Sequence, residues 1–407
     1  MGKFQVYLYF RYIIAAFAPI GKRVRKVFYM IYLDYAATAP VCAEVAQAVA
    51  EALQSGWANP SAQYEAGRES HRRMEAQRAL VAKAMGCAPE RLYFTSCGTE
   101  SDNWAIRAAL HQNRRVGKHI ITTAVEHPAV LNTVKTLAEQ EGCRVTYLAP
   151  DQNGNITAAQ VAEALREDTA LVSVMMVNNE LGTVYPISEI AALLREKRSP
   201  ALLHTDAVQG FMEVPFRCDS LGADFVAVSG HKIGAPKGIG ALYVSERVKP
   251  IRPLIFGGGQ EQGLRSGTEA TGQIAGFAKA CQLRMEHLND TLARMKEIKA
   301  YAAERIAAIP RAVLLPTGDT PHILPFSLVG YPSSNVVNDL SEQGICISAG
   351  SACHQGKASH VIETLKLPKK TAAGALRVSF GPDTTKEDID ALTEALQKHA
   401  AIRFPML

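Results

Sequence analysis

The stretch Asp224-Phe225-Val226-Ala227-Val228-Ser229-Gly230-His231-Lys232 is where the reading of the fold turns. Asp224 to Val228 reads as a strand. A glycine-rich turn, Gly234-Ala235-Pro236-Lys237-Gly238-Ile239-Gly240, follows soon after Lys232. A lysine fixed at a strand end, among small and hydrogen-bonding residues, suits a Schiff base with an aldehyde cofactor. Desolvation there lowers the amine's pKa and frees it to attack. Taken alone, Ser-Gly-His-Lys is more often an ordinary turn. Its weight comes from His204-Thr205-Asp206-Ala207-Val208-Gln209 just upstream and Ser351-Ala352-Cys353 far downstream.

Working outward, short β-rich runs alternate with helical stretches. Arg91 to Thr95 precedes a helix from Glu100, and His119 to Thr122 precedes one near Ala129 to Glu141. Val145 to Leu148, Leu171 to Met175 and Ala201 to His204 continue the series. This alternation predicts an α/β fold with a mainly parallel sheet covered on both faces. Ligands of such sheets bind at the carboxyl ends of the strands, where Thr99, Asp206 and Lys232 fall. A long helical segment is expected from about Gln273 to Ile309. Shorter strands and helices beyond it, including Ser334 to Gln343 and Lys386 to His399, predict a second, smaller α+β domain. The division expected is a large domain over 44–285 and a small one over 30–43 and 286–407, with the ligand site at their junction.

Of 407 residues, 47% are hydrophobic and 20% charged, which suits one large core and a smaller domain. The net charge of +5 is misleading. Lys3, Arg11, Lys22, Arg23, Arg25 and Lys26 crowd residues 1–29 without a single acid, so the rest of the chain carries one acid in excess. The body thus gives no electrostatic reason to expect nucleic acid. Eight cysteines are scattered without a Cys-x-x-Cys pair or a histidine cluster. That argues against structural zinc and a disulfide framework, and for buried thiols in a cytoplasmic protein. The apolar run Phe4 to Phe17 is broken by Arg11 and is too short to span a bilayer. Residues 1–29 read as an over-long start ahead of Met30, or as a weak amphipathic anchor.

Thr95-Ser96-Cys97-Gly98-Thr99-Glu100-Ser101-Asp102 is a strand, a tight turn and a helix start. Helix N-termini suit a phosphate; Gly98 permits close approach and Thr99 adds a hydroxyl, though Thr99 also serves as a plain cap. Asp206, at the end of an apolar strand, could pair with a protonated pyridine nitrogen and make that ring an electron sink, or cap the next turn. Gln209 and Asn179 could reach the ring's hydroxyl side. His127 could stack on the ring and move protons, or sit as a surface cap. Arg377 alternates with apolar residues on a strand, and its fork fits a substrate carboxylate unless it points outward. Cys353 lies in a small, polar segment, where an accessible thiol near His354 and Lys357 favours the thiolate. Cys97 reads as packing under the phosphate turn.

Together these motifs resemble the cysteine desulfurases, pyridoxal-phosphate enzymes of the class V aminotransferase family and fold type I. The match runs from Tyr32-Leu33-Asp34-Tyr35-Ala36-Ala37-Thr38 to Leu376-Arg377-Val378-Ser379. The resemblance implies a large domain with a seven-stranded sheet and pyridoxal 5′-phosphate held by Lys232. It implies Asp206 at the pyridine nitrogen, His127 stacked on the ring, Gln209 and Asn179 at its hydroxyl, and Gly98, Thr99, Ser229 and His231 around the phosphate. It implies a homodimer, with the segment from Gly257 to Thr268 completing the partner's site through Thr268. The implied reaction converts L-cysteine to L-alanine. Lys232 moves the α-proton, Arg377 and Asn179 hold the substrate, and Cys353 takes the sulfur as a persulfide. The sulfur then passes to an acceptor protein, for iron–sulfur cluster assembly or transfer-RNA thiolation, and Cys353 is placed to ligate a nascent cluster with that partner. No metal is implied in the cofactor site. His354 and Gln355 depart from the small hydroxyl residues common at their positions, which bears on the choice of acceptor. The alternatives are a selenocysteine lyase or related amino-acid lyase, and a non-catalytic sulfur-assembly scaffold.

Overall fold

The computed structural model describes residues 30–249, 251–349, 359–403 and 405. The expectations for residues 1–29 and for Cys353 fall outside these residues. In chain order the strands are β1 (Ile31–Tyr32), β2 (Leu92–Thr95), β3 (His119–Thr123), β4 (Arg144–Leu148), β5 (Thr169–Ser173), β6 (Leu202–Asp206), β7 (Phe225–Ser229), β8 (Gly240–Val244), β9 (Ala312–Leu314), β10 (Ile323–Leu328), β11 (Ile345–Cys346), β12 (Ser348–Ala349) and β13 (Ala375–Ser379). One sheet of seven runs β2-β8-β7-β6-β5-β3-β4. Only β8 is antiparallel to its neighbours; the pairings among β7, β6, β5, β3 and β4 are parallel.

The apolar runs form this sheet because both of its faces are covered. In β7, Phe225 and Ala227 pack with Trp104 and Val130 on one side, while Val226 and Val228 pack with Met176 and Phe277 on the other. A strand buried on both faces has no polar alternation to show. Helices Gly98–Gln112 and Pro128–Glu141 cover the first face; Glu65–Met85, Ile187–Glu196 and Thr271–Glu286 cover the second.

The smaller domain is built on the antiparallel sheet β12-β13-β10-β9 and the parallel pair β1-β11. Its core gathers Phe326, Phe380, Leu340 and Leu396, and Leu33 joins it from the amino-terminal piece. The long helix expected over 273–309 is instead two, Thr271–Glu286 and Leu288–Ala307, separated at His287. The first buries Ile274, Phe277 and Cys281 under the large sheet, and the second buries Ile298, Ala302 and Ile306 in the smaller core. Each core demands its own helical face, and the break lets the chain serve both.

A buried ion pair fastens the glycine-rich segment after β8 to the large sheet. Arg78 donates to both oxygens of Glu261 at 2.7 Å, and Glu261 also accepts from the Phe94 amide at 2.9 Å. Breaking such a pair strands a charge in the interior at a cost of about 3–5 kcal/mol. Glu261→Ala is therefore expected to lower the urea unfolding midpoint markedly, and an unchanged midpoint would contradict this role.

Candidate active site

A cavity of about 370 Å³ opens at the carboxyl ends of the large sheet's strands. Asp206 is the last residue of β6, is 4% exposed, and accepts from the Val208 amide at 2.9 Å. Lys232 follows β7 in a tight 3₁₀ turn, Gly230–Lys232, that carries its amine back over the strand end. Its Nζ donates to the carbonyls of Ala36 at 2.6 Å and Ala37 at 2.9 Å. Gln209 donates to the same Ala36 carbonyl at 2.7 Å, and its Oε1 lies 3.2 Å from His322 Nε2. His231 reaches the Thr38 hydroxyl at 3.2 Å. The strap over 33–39 thus orients the lysine and its neighbours together.

At one end of the cavity, helix Gly98–Gln112 presents its N-terminus, whose first amides have no partner within the helix. A Cβ on Gly98 would lie 2.6 Å from Val208 Cγ2, so only glycine leaves room for this close approach. At another wall stands Arg377, on β13 and 7% exposed. It donates to Asp34 Oδ1 and to the Asn179 carbonyl, both at 2.7 Å, while its Nε has no partner among the described residues. The anionic partner that an inward arginine needs is Asp34.

Of the expected site residues, Lys232, Asp206, Gln209, His127, Asn179, Gly98, Thr99, Ser229, His231 and Arg377 all line this one cavity. His127 caps helix Pro128–Glu141, its Nδ1 accepting from the Ala129 amide at 3.1 Å. Thr268 is exposed and does not line it. Cys97 is a correction: it is half-buried and lines the cavity rather than packing beneath the turn. The reading of the other cysteines as buried thiols holds for Cys143, Cys218 and Cys281; Cys42 is exposed, and Cys87 and Cys346 are half-buried. Sequence reasoning assigned no role to Asp102 or Glu180, which also face the cavity. Asp102 stands three residues after Thr99, one helical turn on, and that spacing was the available signal. Glu180 accepts from Ser359 Oγ at 2.6 Å, a contact 179 residues apart in sequence that no local pattern reveals.

A family model described as aminotransferase class-V matches residues 31–392. The cysteine desulfurase IscS of Clostridium botulinum (strain Hall) is 39% identical over 375 residues, covering 90% of this chain and 94% of that protein. Among solved structures, a NifS-like protein superposes with a TM-score of 0.86 at 33% identity, covering 92% of this chain and all of the other. The structure described as SspA in complex with cysteine gives 0.74 at 33% identity, covering 87% of this chain and 99% of the other. The chain therefore belongs to the class-V aminotransferase family and, within it, to the pyridoxal-phosphate-dependent cysteine desulfurases. Pyridoxal 5′-phosphate is accordingly its cofactor. The cavity suits that group: a glycine cradle at a helix N-terminus for a phosphate, a buried carboxylate, and an amine between them.

The electrostatics of the site are those of acids withdrawn from water. Burial pushes Asp206 above the ordinary carboxylate range, against the pull of His127, the Val208 amide and Lys232. Burial also raises Glu180 to about 7. Glu126, beside His127, is wholly buried and accepts from Thr123 Oγ1 and the Met175 amide, both at 2.9 Å. Burial lifts its pKa to about 8 from an ordinary 4.5. Between those values the folded protein keeps a proton that the unfolded chain has lost, so this group's contribution to stability falls as pH rises through the window. Glu126→Gln keeps the accepting oxygen and cannot ionise. The variant's stability relative to the parent is expected to improve from pH 5 to pH 8, by at most about 1.4 kcal/mol per pH unit. A difference that stays constant in urea titrations at the two pH values would refute the assignment.

Proposed function

We propose that this protein converts L-cysteine to L-alanine and holds the released sulfur as a persulfide on Cys353. The observation that carries this reading is the convergence of Lys232, Asp206 and Arg377 in one cavity whose wall also includes Ala349 and Ser359. Those two residues flank the segment that contains Cys353. In sequence, Ala349 lies four residues before the cysteine and Ser359 six after it. That a structural relative is described as in complex with cysteine supports the choice of substrate.

In the division of labour proposed, Gly98 and Thr99 at the helix N-terminus, with Ser229 and His231, bind the cofactor's phosphate. His127 stacks on its ring, Asp206 faces the ring nitrogen, and Gln209 and Asn179 address its hydroxyl. The bound cofactor supplies an electron sink for the substrate's α-carbon. Lys232 holds the cofactor and moves the α-proton. Its flexible amine, now resting on the Ala36 and Ala37 carbonyls, has the reach for both tasks. Arg377, steadied by Asp34, offers its free Nε edge to the substrate carboxylate. The Cys353 thiolate attacks the substrate sulfur, and the carbon–sulfur electron pair stays with the alanine fragment.

The finer features belong to the same proposal. The large domain spans 44–285, and residues 30–43 and 286–407 form the small one, as the two separate apolar cores support. The exposed Thr268 serves the partner's site in a homodimer. The segment leading to it is anchored by Glu261, and Arg265 pairs with Glu100 at the helix start at 2.8 Å. The persulfide passes to an acceptor protein of iron–sulfur assembly or transfer-RNA thiolation. Among the described residues no helix is long and apolar enough to cross a membrane, and all described cysteines are free. The free thiols support a cytoplasmic setting, where they stay reduced.

The test is release of sulfide and alanine from L-cysteine in the presence of a reductant. The two products are expected in equal amounts, and Cys353→Ala is expected to release neither. Release that survives in Cys353→Ala would turn the reading toward a lyase without a persulfide step, such as a selenocysteine lyase. Lys232→Ala is expected to lose turnover on any of these readings, and full activity in it would overturn the lysine's role.

A further inference from the structure

One buried pair, Asp102 of the cavity wall and His204, has no part in the roles above. Asp102 is 1% exposed, on the second turn of helix Gly98–Gln112. Its Oδ1 lies 3.3 Å from Nε2 of His204, which is wholly buried on β6. The other ring nitrogen of His204 lies 2.8 Å from Ser173 Oγ. Neither Asp102 Oδ1 nor His204 Nε2 makes a hydrogen bond to any described residue, their own 3.3 Å contact included. Buried polar atoms are rarely left so, and a single proton between the two would satisfy both.

Where that proton sits follows from the neighbours. The titratable groups around Asp102, besides His204, are Asp206 on the same strand as His204, Glu126 ahead of helix Pro128–Glu141, and Cys97 at the helix cap. Every one of these three is neutral or negative. Asp206, in contrast, faces His127 and Lys232 and accepts from the Val208 amide. Two carboxylates in one dry site do not both ionise, and the one without cations keeps the proton. No nearby charge favours an imidazolium either.

We propose that Asp102 is a neutral carboxylic acid that donates its proton to His204 Nε2, leaving Asp206 the single anion presented to the cofactor ring. Asp102 is then a positioning residue that acts through Asp206, and this rests on the role given to Asp206 above. Burial, then Asp206, Glu126 and Cys97, push Asp102 well above the ordinary carboxylic range, while burial draws His204 down to about 3. The Ser173 hydroxyl then accepts from Nδ1–H, which fixes the tautomer that leaves Nε2 free to accept.

Infrared difference spectra of the parent enzyme against Asp102→Asn locate the proton, in cofactor-free and cofactor-loaded protein alike. An acid carbonyl band unique to the parent is expected at pH 7. Contributions from Glu126, Glu180 and Glu213 are common to both proteins and cancel. His204→Gln is expected to shift this band without removing it, which keeps the assignment testable if the first variant folds poorly. In turnover, Asp102→Ala is expected to lose on the order of 10-fold. Asp102→Asn, a neutral donor, is expected to rescue that loss. Absence of the acid band, or an Asn variant as impaired as Ala, would show that Asp102 works as an anion and overturn the proposal. If the band is present but Asp206→Asn turns over normally, the positioning role falls with the reading of Asp206, while the proton's location stands.

Discussion

The parallel pairing of β6 with β7 is the constraint from which the site is built. Asp206 stands opposite Ala227 in that pairing, and Lys232 follows five residues beyond Ala227. Parallel neighbours leave the sheet at the same edge, so a carboxylate and an amine from consecutive strands are delivered to one place. The antiparallel β8 adds the third component. Gly240 pairs with Ser229 on one side and with Thr95 on the other, which brings the start of helix Gly98–Gln112 beside the lysine turn. A Cβ at Gly240 would meet the Val228 carbonyl at 2.7 Å and the Cys97 backbone at 2.8 Å, so this convergence needs a glycine at its centre.

The second dependence is on the strap between β1 and the helix Ala43–Ser55. Its Ala36 carbonyl accepts from both Lys232 and Gln209, and its Asp34 holds Arg377. The strap is tied in turn to the smaller sheet, since the Ala36 amide donates to Ser379 Oγ at 2.9 Å and the Ser379 amide donates to the Leu33 carbonyl at 2.8 Å. One short segment therefore bonds to the lysine of the large sheet and to the arginine strand of the small one. A displacement of either sheet is felt at both ends of the cavity, because these are direct hydrogen bonds in a largely buried setting where unmade bonds are costly.

Acids dominate the buried polar groups around this cavity. Asp102, Glu126, Glu180 and Asp206 are all withdrawn from water, and each would pay a large desolvation penalty as an anion without a partner. The structure distributes the few cations unevenly, with Lys232 near Asp206 and Arg377 near Asp34 and Glu180. Which acid is charged is thereby decided by position and not by residue type.

Much of this was legible in the chain. The apolar runs ending in Asp206 and Ser229 declare strands buried on both faces, and the turn from Cys97 to Thr99 declares a helix start suited to an anion. The motifs also single out Lys232, Asp206 and Gly98, which the folded chain brings to one cavity. The single long helix was misjudged because composition shows helical propensity and not which core a face will meet; His287 breaks it where one core gives way to the other. Strand alternation leaves Arg377 inward or outward; its partner Asp34 lies 343 residues away, and only the folded chain pairs them and turns it inward. The sequence by itself determined the alternation of strands and helices in the large sheet and supplied the side chains that line its cavity, because these depend on local periodicity and side-chain chemistry. Tertiary structure alone decided the partners of Lys232, Arg377, Glu180 and Asp102, because burial and electrostatics are set by neighbours brought together from distant parts of the chain.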